Sequence, residues 1–166
     1  KLSRAGVIIV SGMARGIDSA AHRGALKGIA PTAAVFGTAI DVCYPAANAT
    51  LMRDILQNGA LISEYPPGCR TDRRSFPRRN RIMSGLSLGT VVIEADLKSG
   101  SLITANYALD QGREVFAVPG NVGSPYSAGT NDLIKNGARV VTDALDIALE
   151  LNLHVENLKE PRAKKI

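Results

Sequence analysis

Six short apolar runs alternate with stretches of helical character, and this alternation narrows the possible folds more than any other feature. The runs are Gly6–Ser11, Ala33–Phe36, Ala60–Ser63, Thr90–Ala95, Glu114–Val118 and Ala138–Val141. Gly6–Ser11 (GVIIVS) is continuously apolar and rich in β-branched residues, the pattern of a strand buried on both faces of a parallel sheet. Helices are predicted over Asp18–Lys27, Ala49–Gln57 capped by Asn48, Arg79–Leu86, Leu102–Gln111 and Asn131–Asn136. A last one, capped by Thr142-Asp143, reaches about Leu151. Gly28, Asn58-Gly59 and Gly112 end three of them. Glu64–Ser75 and Pro119–Thr130 read as loops. Strands and helices in strict turn, joined by short loops, predict an α/β fold: an open, mostly parallel sheet with helices on both faces. Ligands of such sheets bind beyond the carboxyl ends of the strands. The loops Gly12–Gly16, Gly37–Tyr44 and Lys98–Ser101 should therefore gather at one edge.

The chemistry concentrates around the fourth run. Six arginines (Arg70, Arg73, Arg74, Arg78, Arg79 and Arg81) precede it, and Ser99-Gly100-Ser101 follows it at the start of a helix. The first N–H groups of a helix lack internal partners and sit at the positive end of its dipole. Such a strand–loop–helix unit suits an anion, and an anion is expected at the N–H groups of Ser99–Leu102. The bland readings are an N-cap for the serines and a solvated loop for the arginines. Their position on either side of one strand favours phosphate. The net charge is +5, which the arginine cluster alone can supply, and a local basic patch fits an extended polyanion better than a small acidic metabolite.

Several function classes are disfavoured. Hydrophobic residues make up 45% of the chain, yet no apolar run is long enough to span a bilayer. Val7–Val10 is too short for a signal-peptide core. Cys43 and Cys69 make neither a disulfide framework nor a metal set, which points to a reducing cytoplasm. Gly12-Met13-Ala14-Arg15-Gly16 sits where a dinucleotide fingerprint would, but its spacing differs and no acidic residue ends the next strand. Asp18 and His22, four apart, form either half of a metal or acid–base site or a local contact at a helix start; no third ligand accompanies them. Glu94 is either a general base or an ion-pair partner that holds Arg79 or Arg81, and the lack of a nucleophile favours the pair. No catalytic residue, metal or cofactor is assigned. Among aromatic residues only Phe76 falls within the arginine cluster, so nucleic-acid binding would lean on phosphates more than on stacked bases.

Several stretches resemble the DprA/Smf family of DNA-processing proteins. They are Ser11-Gly12-Met13-Ala14-Arg15-Gly16-Ile17-Asp18 with Ala21-His22; Tyr44-Pro45 with Asn48; and Ser63-Glu64-Tyr65-Pro66-Pro67-Gly68. The most specific is Phe76-Pro77-Arg78-Arg79-Asn80-Arg81-Ile82 with Gly85-Leu86-Ser87. Glu94-Ala95, Ser99-Gly100-Ser101-Leu102-Ile103-Thr104-Ala105, Gly112-Arg113 and Val118-Pro119-Gly120 complete the pattern, which runs in order from about Gly6 to Asp146. The resemblance implies an extended Rossmann fold that binds single-stranded DNA in a basic pocket, forms a homodimer and helps load the RecA recombinase in natural transformation, without being an enzyme. By position, Arg79, Asn80, Arg81, Lys98, Ser99, Gly100, Ser101 and Thr104 should line the pocket, with Gly12, Arg15 and Gly16 beside them.

The sequence departs from the family in two places. The family's first strand, with its glycine–arginine turn, is not found ahead of Lys1. Residues 1–152 are accordingly read as a core lacking that strand. The family often carries a small winged-helix domain at its end, whereas this sequence stops in residues 153–166, read as a charged tail or linker stump; both departures are read as signs of a fragment. Two other functions compete with DNA binding. Related Rossmann-like hydrolases of nucleoside monophosphates use a P-G-G-x-G-T-x-x-E stretch. Here the nearest text is Pro119-Gly120-Asn121-Val122-Gly123, with no glutamate close after it. The other is a scaffold whose basic patch meets an acidic partner protein.

Overall fold

The structure, a computed structural model, describes residues 1–154. Its strands are β1 (Ile9–Ser11), β2 (Thr32–Phe36), β3 (Gly59–Ser63), β4 (Gly89–Val92), β5 (Glu114–Ala117) and β6 (Arg139–Val140). Its helices are α1 (Ile17–Ala25), α2 (Ala49–Asn58), α3 (Ser75–Leu86), α4 (Gly100–Asp110), α5 (Pro125–Lys135) and α6 (Ala144–Glu150). Every strand pairing is parallel, as expected, but the strands form two three-stranded sheets, β1-β2-β3 and β4-β5-β6. Each sheet is one βαβαβ unit with its strands in sequential order, and α3 connects the two units.

Each unit closes its own core. In the first, Met13, Ala34 and Phe36 meet Leu51 and Ile55 of α2. In the second, Val92 and Val115 pack with Ala105 and Ala108 of α4, backed by Leu133 of α5. Side chains alternate across a strand, so Phe116 turns from that cluster to the opposite face. There it joins Val141 and Ile147 of α6, with Leu2 against them. The chain start is thus held on the second unit, and Lys1 Nζ pairs with Asp143 at 2.7 Å. Asp143 also closes a capping box with Asp146 at the start of α6.

Local differences from expectation have local causes. β1 starts at Ile9 because Leu2–Ala5 winds into a 3-10 turn, ended by Gly6 in the left-handed region at φ 86°. α3 starts at Ser75 rather than Arg79. Pro77 lies in its first turn, where a missing N–H costs nothing. α5 spans Pro125–Lys135, most of which was expected to be loop, with Pro125 at its first position. Gly129 looked like a loop residue, but it is where α5 touches the chain leaving β4. A Cβ there would lie 2.8 Å from Asp96 O and 2.9 Å from Ala95 Cβ. Asn48 does not cap α2 with its side chain; its amide donates to Met13 O and Ser19 Oγ. Of the expected charged tail, residues 155–166 lie outside the described residues. Among the described residues, no helix is long and apolar enough to cross a membrane.

His22 is fully buried between α1 and β2, with Nδ1 2.8 Å from Thr32 Oγ1. Its Nε2 has no hydrogen-bond partner among the described residues. Burial pushes its pKa below the ordinary imidazole value, against the opposing pull of Asp18 and the Ser11 backbone. The folded protein therefore binds this proton less readily than the unfolded chain does. Stability is complete above the unfolded pKa of about 6.5 and falls as the pH drops below it, toward the lower folded value. Urea midpoints measured from pH 7.5 down to 5 should fall more steeply for the wild type than for His22→Asn. Parallel curves would remove His22 as the cause.

Candidate nucleic-acid interface

The carboxyl ends of β1, β2 and β4 are drawn together by α3. Arg79, on the first turns of that helix, is only 5% exposed. Its guanidinium donates through Nη1 to Gly12 O, at 2.9 Å, and to Val35 O, and through Nε to Asn80 Oδ1 at 3.2 Å. Burial lowers the Arg79 pKa, and Asp18 partly offsets this. Gly12 is glycine for reasons of space, since a Cβ there would lie 2.6 Å from the guanidinium carbon. Ser75 Oγ donates to Gly37 O at the end of β2. Asn80 Nδ2 donates to Gly100 O at 3.2 Å, fastening α3 to the first turn of α4. Gln111, just past the end of α4, accepts from Ser84 Oγ at 2.7 Å and donates to Arg81 O at 2.9 Å.

Gly12, Arg79, Asn80 and Gly100 therefore meet through direct hydrogen bonds, although the chain separates the outer two by most of its length. The turn after β1 is folded on itself: Asp18 Oδ2 accepts from Ala14 N at 3.0 Å, and Met13 takes φ 67° while buried in the core. Arg15 and Gly16 are left exposed on its rim. Lys98 is exposed on the loop after β4, Ser99 and Ser101 are half-buried with their hydroxyls 2.8 Å apart, and Thr104 is half-buried one turn further along α4.

Three expectations are corrected. Arg79 does not present its charge to solvent; it braces the backbone from inside. Glu94 is exposed and forms no ion pair among the described residues; Arg81 pairs instead with Glu64, beyond β3. The N-terminus of α4 is also less open to an anion than its sequence suggests. Ser99 N donates to Asp96 O, Ser101 N to Ser99 Oγ and Leu102 N to Ser99 O, which leaves only Gly100 N–H without an acceptor among the described residues.

The structure adds what the sequence reading missed. Tyr44, which is 59% exposed, packs its ring on Phe76 with centroids 5.2 Å apart. Phe76 in turn lies on Gly37, where a Cβ would be 2.6 Å from its ring. No local signal links Tyr44 to the arginine cluster; only the fold does.

The family described as DNA recombination-mediator protein A matches residues 1–152. This chain belongs to that family. It is 49% identical over 156 residues to protein Smf of Escherichia coli K12, covering 92% of this chain and 42% of that protein. It is 46% identical over 144 residues to DNA processing protein DprA of Streptococcus pneumoniae R6, covering 87% of this chain and 51% of that protein. The chain spans about half the length of the curated relatives it matches. The X-ray structure of the pneumococcal DprA superposes with a TM-score of 0.84 at 44% identity, over 92% of this chain and 55% of that one. A structure concerned with the single-stranded DNA binding mode of Helicobacter pylori DprA superposes with a TM-score of 0.83 at 33% identity, over 92% of this chain and 70% of that one. In this DprA/Smf chain, Arg79 and Asn80 of the Phe76–Ile82 stretch hold the backbone at Gly12 and Gly100, next to the loops that carry the exposed Arg15 and Lys98.

Arg79→Ala should be strongly destabilising, because it strips Gly12 O and Val35 O of a buried donor. A loss of roughly 2–4 kcal/mol is expected for two unsatisfied carbonyls. Arg81→Ala breaks a partly exposed pair and should cost about 1 kcal/mol or less. Chemical denaturation of the two variants side by side measures the contrast, and equal losses would contradict it.

Proposed function

We propose that this chain binds single-stranded DNA across the edge formed by Gly12–Gly16, the start of α3 and the Lys98–Ser101 loop. The reading extends to a DNA-processing protein that protects incoming DNA and helps load the RecA recombinase in natural transformation. It would work in the cytoplasm, as a homodimer, and as a binder without turnover. Membership of a recombination-mediator family supports the reading, as does the similarity to a DprA whose single-stranded DNA binding mode has been described.

The observation that carries it is the Asn80–Gly100 bond together with the Arg79 brace. These bonds hold two loops at one edge, each with an exposed cation, Arg15 on one and Lys98 on the other. Cations spaced along an edge suit a flexible polyanion, whose backbone charges repeat, better than a compact ligand. In this reading Gly12, Gly16, Asn80, Ser99, Gly100, Ser101 and Thr104 shape the path, and Arg79 and Arg81 stiffen it.

Removing one cation that neutralises a phosphate of a single strand should lower the slope of log affinity against log salt by roughly 0.7. Arg15→Ala and Lys98→Ala remove exposed side chains, so folding stability should stay within about 0.5 kcal/mol of wild type. Binding of an unstructured oligonucleotide across a salt series should show a shallower slope for each variant and a shallower one still for the pair. The proposal is falsified if the folded double variant binds with wild-type affinity and slope. Incubation with nucleoside monophosphates should release no free base. Release that disappears in Glu94→Gln would favour a hydrolase instead.

A further inference from the structure

Where the start of α3 meets the end of β2, at one end of the path just described, lies a pocket of about 190 Å³. Its charged lining is Arg70, Arg74, Arg78 and Asp72, and its floor is Gly37, Thr38 and Ser75 at the end of β2 and the start of α3. Arg74 and Arg78 are four apart in helical geometry, which places them on one face of α3, one turn apart. Arg70 reaches the same space from the preceding loop. Neither Arg70 nor Arg78 has an acidic partner among the described residues. Arg74 meets only the Asp72 carboxylate, at 3.6 Å, with 93% of its side chain exposed. The floor is fixed: Thr38 Oγ donates to Val42 O at 2.7 Å, and Ser75 Oγ is turned inward to Gly37 O and Asp72 O.

We propose that this pocket takes a terminal phosphomonoester, the 5′- or 3′-phosphate of a DNA strand end. The proposal rests on the single-strand reading above and names the part of the strand that enters here. Charge supports it. Three guanidinium groups against one carboxylate leave an excess of two positive charges. A phosphomonoester carries about −1.5 to −2 at neutral pH, whereas an internal phosphodiester carries a single charge. Geometry supports it as well. Guanidinium forks suit the three free oxygens of a monoester, one of which is tied into a second ester link in a diester. Size agrees: at roughly 30 Å³ per water molecule the space equals about six waters. That is room for a phosphate and part of its sugar.

The test compares one thymidine oligonucleotide in three forms: hydroxyl at both ends, 5′-phosphate, and 3′-phosphate. Binding of the hydroxyl form reads the single-strand proposal by itself. One of the phosphorylated forms should bind about tenfold tighter than the hydroxyl form, as expected for a fully charge-assisted contact. Which one does so identifies the strand end. Arg70→Gln/Arg78→Gln should reduce this ratio to about one, and Asp72→Asn, which removes the opposing carboxylate, should raise it. Thermal melts check that both variants are folded. Thymidine 5′- and 3′-monophosphates, titrated by NMR, read the pocket without a strand. Perturbation at Arg70, Arg78 and Gly37 with no oligonucleotide binding would keep the pocket and reject the strand. Equal binding of all three oligonucleotides, or an end preference untouched by the arginine double variant, would overturn the pocket whatever becomes of the strand.

Discussion

The structure turns on one buried guanidinium. Arg79 is 5% exposed and has no carboxylate within ion-pair distance among the described residues; backbone carbonyls and the Asn80 amide oxygen receive its protons. Leaving a charge in so dry a place is costly unless it is hydrogen-bonded, and here Nε and Nη1 both meet acceptors. The answer here uses carbonyls that point out of two neighbouring strand ends, Gly12 O after β1 and Val35 O in β2. Gly12 lies past the end of β1, beyond the ladder, so its carbonyl and the arginine satisfy each other. Lysine would not do the same, because its single ammonium lacks the planar fork that reaches separate acceptors.

From that contact the assembly of the two βαβαβ units follows. α3 is fixed to the first unit through Arg79 and Ser75 and to the second through Asn80, Ser84 and Arg81 O, with Gly100 and Gln111 as the receiving residues. Its most extensive helix packing is with α4. The approach needs glycine twice. Gly12 makes room for the guanidinium and Gly37 for the Phe76 ring. Neither adopts a left-handed backbone, so what each supplies is the absence of a side chain. Any added Cβ would push α3 away from the strand ends and loosen both loops that α3 holds.

Much of this was legible in the sequence, for reasons that can be named. The β-branched run before Ser11 and the apolar run at Thr90 marked strands, and both pair in parallel; but β1 is an edge strand, half-buried rather than buried on both faces, with Ile8 55% exposed. The helix over residues 100–110 was legible from Ser99 and from Gly112. What could not be read depended on distance along the chain. Gly129 and Pro125 looked like loop punctuation because nothing nearby reveals that α5 lies against Ala95. Asn48 carried every local sign of a helix cap, yet its amide is used by Met13 and Ser19. Glu94 and Arg81 looked like partners by proximity to one strand, whereas the fold brings Glu64 to Arg81 from beyond β3.

The arginine run shows the same point for charge. Read as composition, Arg70 to Arg81 is one basic patch. Wound into α3, consecutive residues turn by about 100°, and adjacent arginines take different environments. Arg78 stays in water while Arg79 goes into the core, and Arg81 is spent on a carboxylate. Four of the six, Arg70, Arg73, Arg74 and Arg78, keep solvent-exposed side chains. The charge available to a ligand is therefore smaller than the sequence count but more sharply placed, at the end of β2 and the start of α3. The buried member sets where the exposed ones stand. Exposed and buried arginines should then differ in their response to salt: screening weakens what Arg15, Arg74 or Arg78 can hold, while the Arg79 bonds, shielded from water, are little affected and keep the edge in shape.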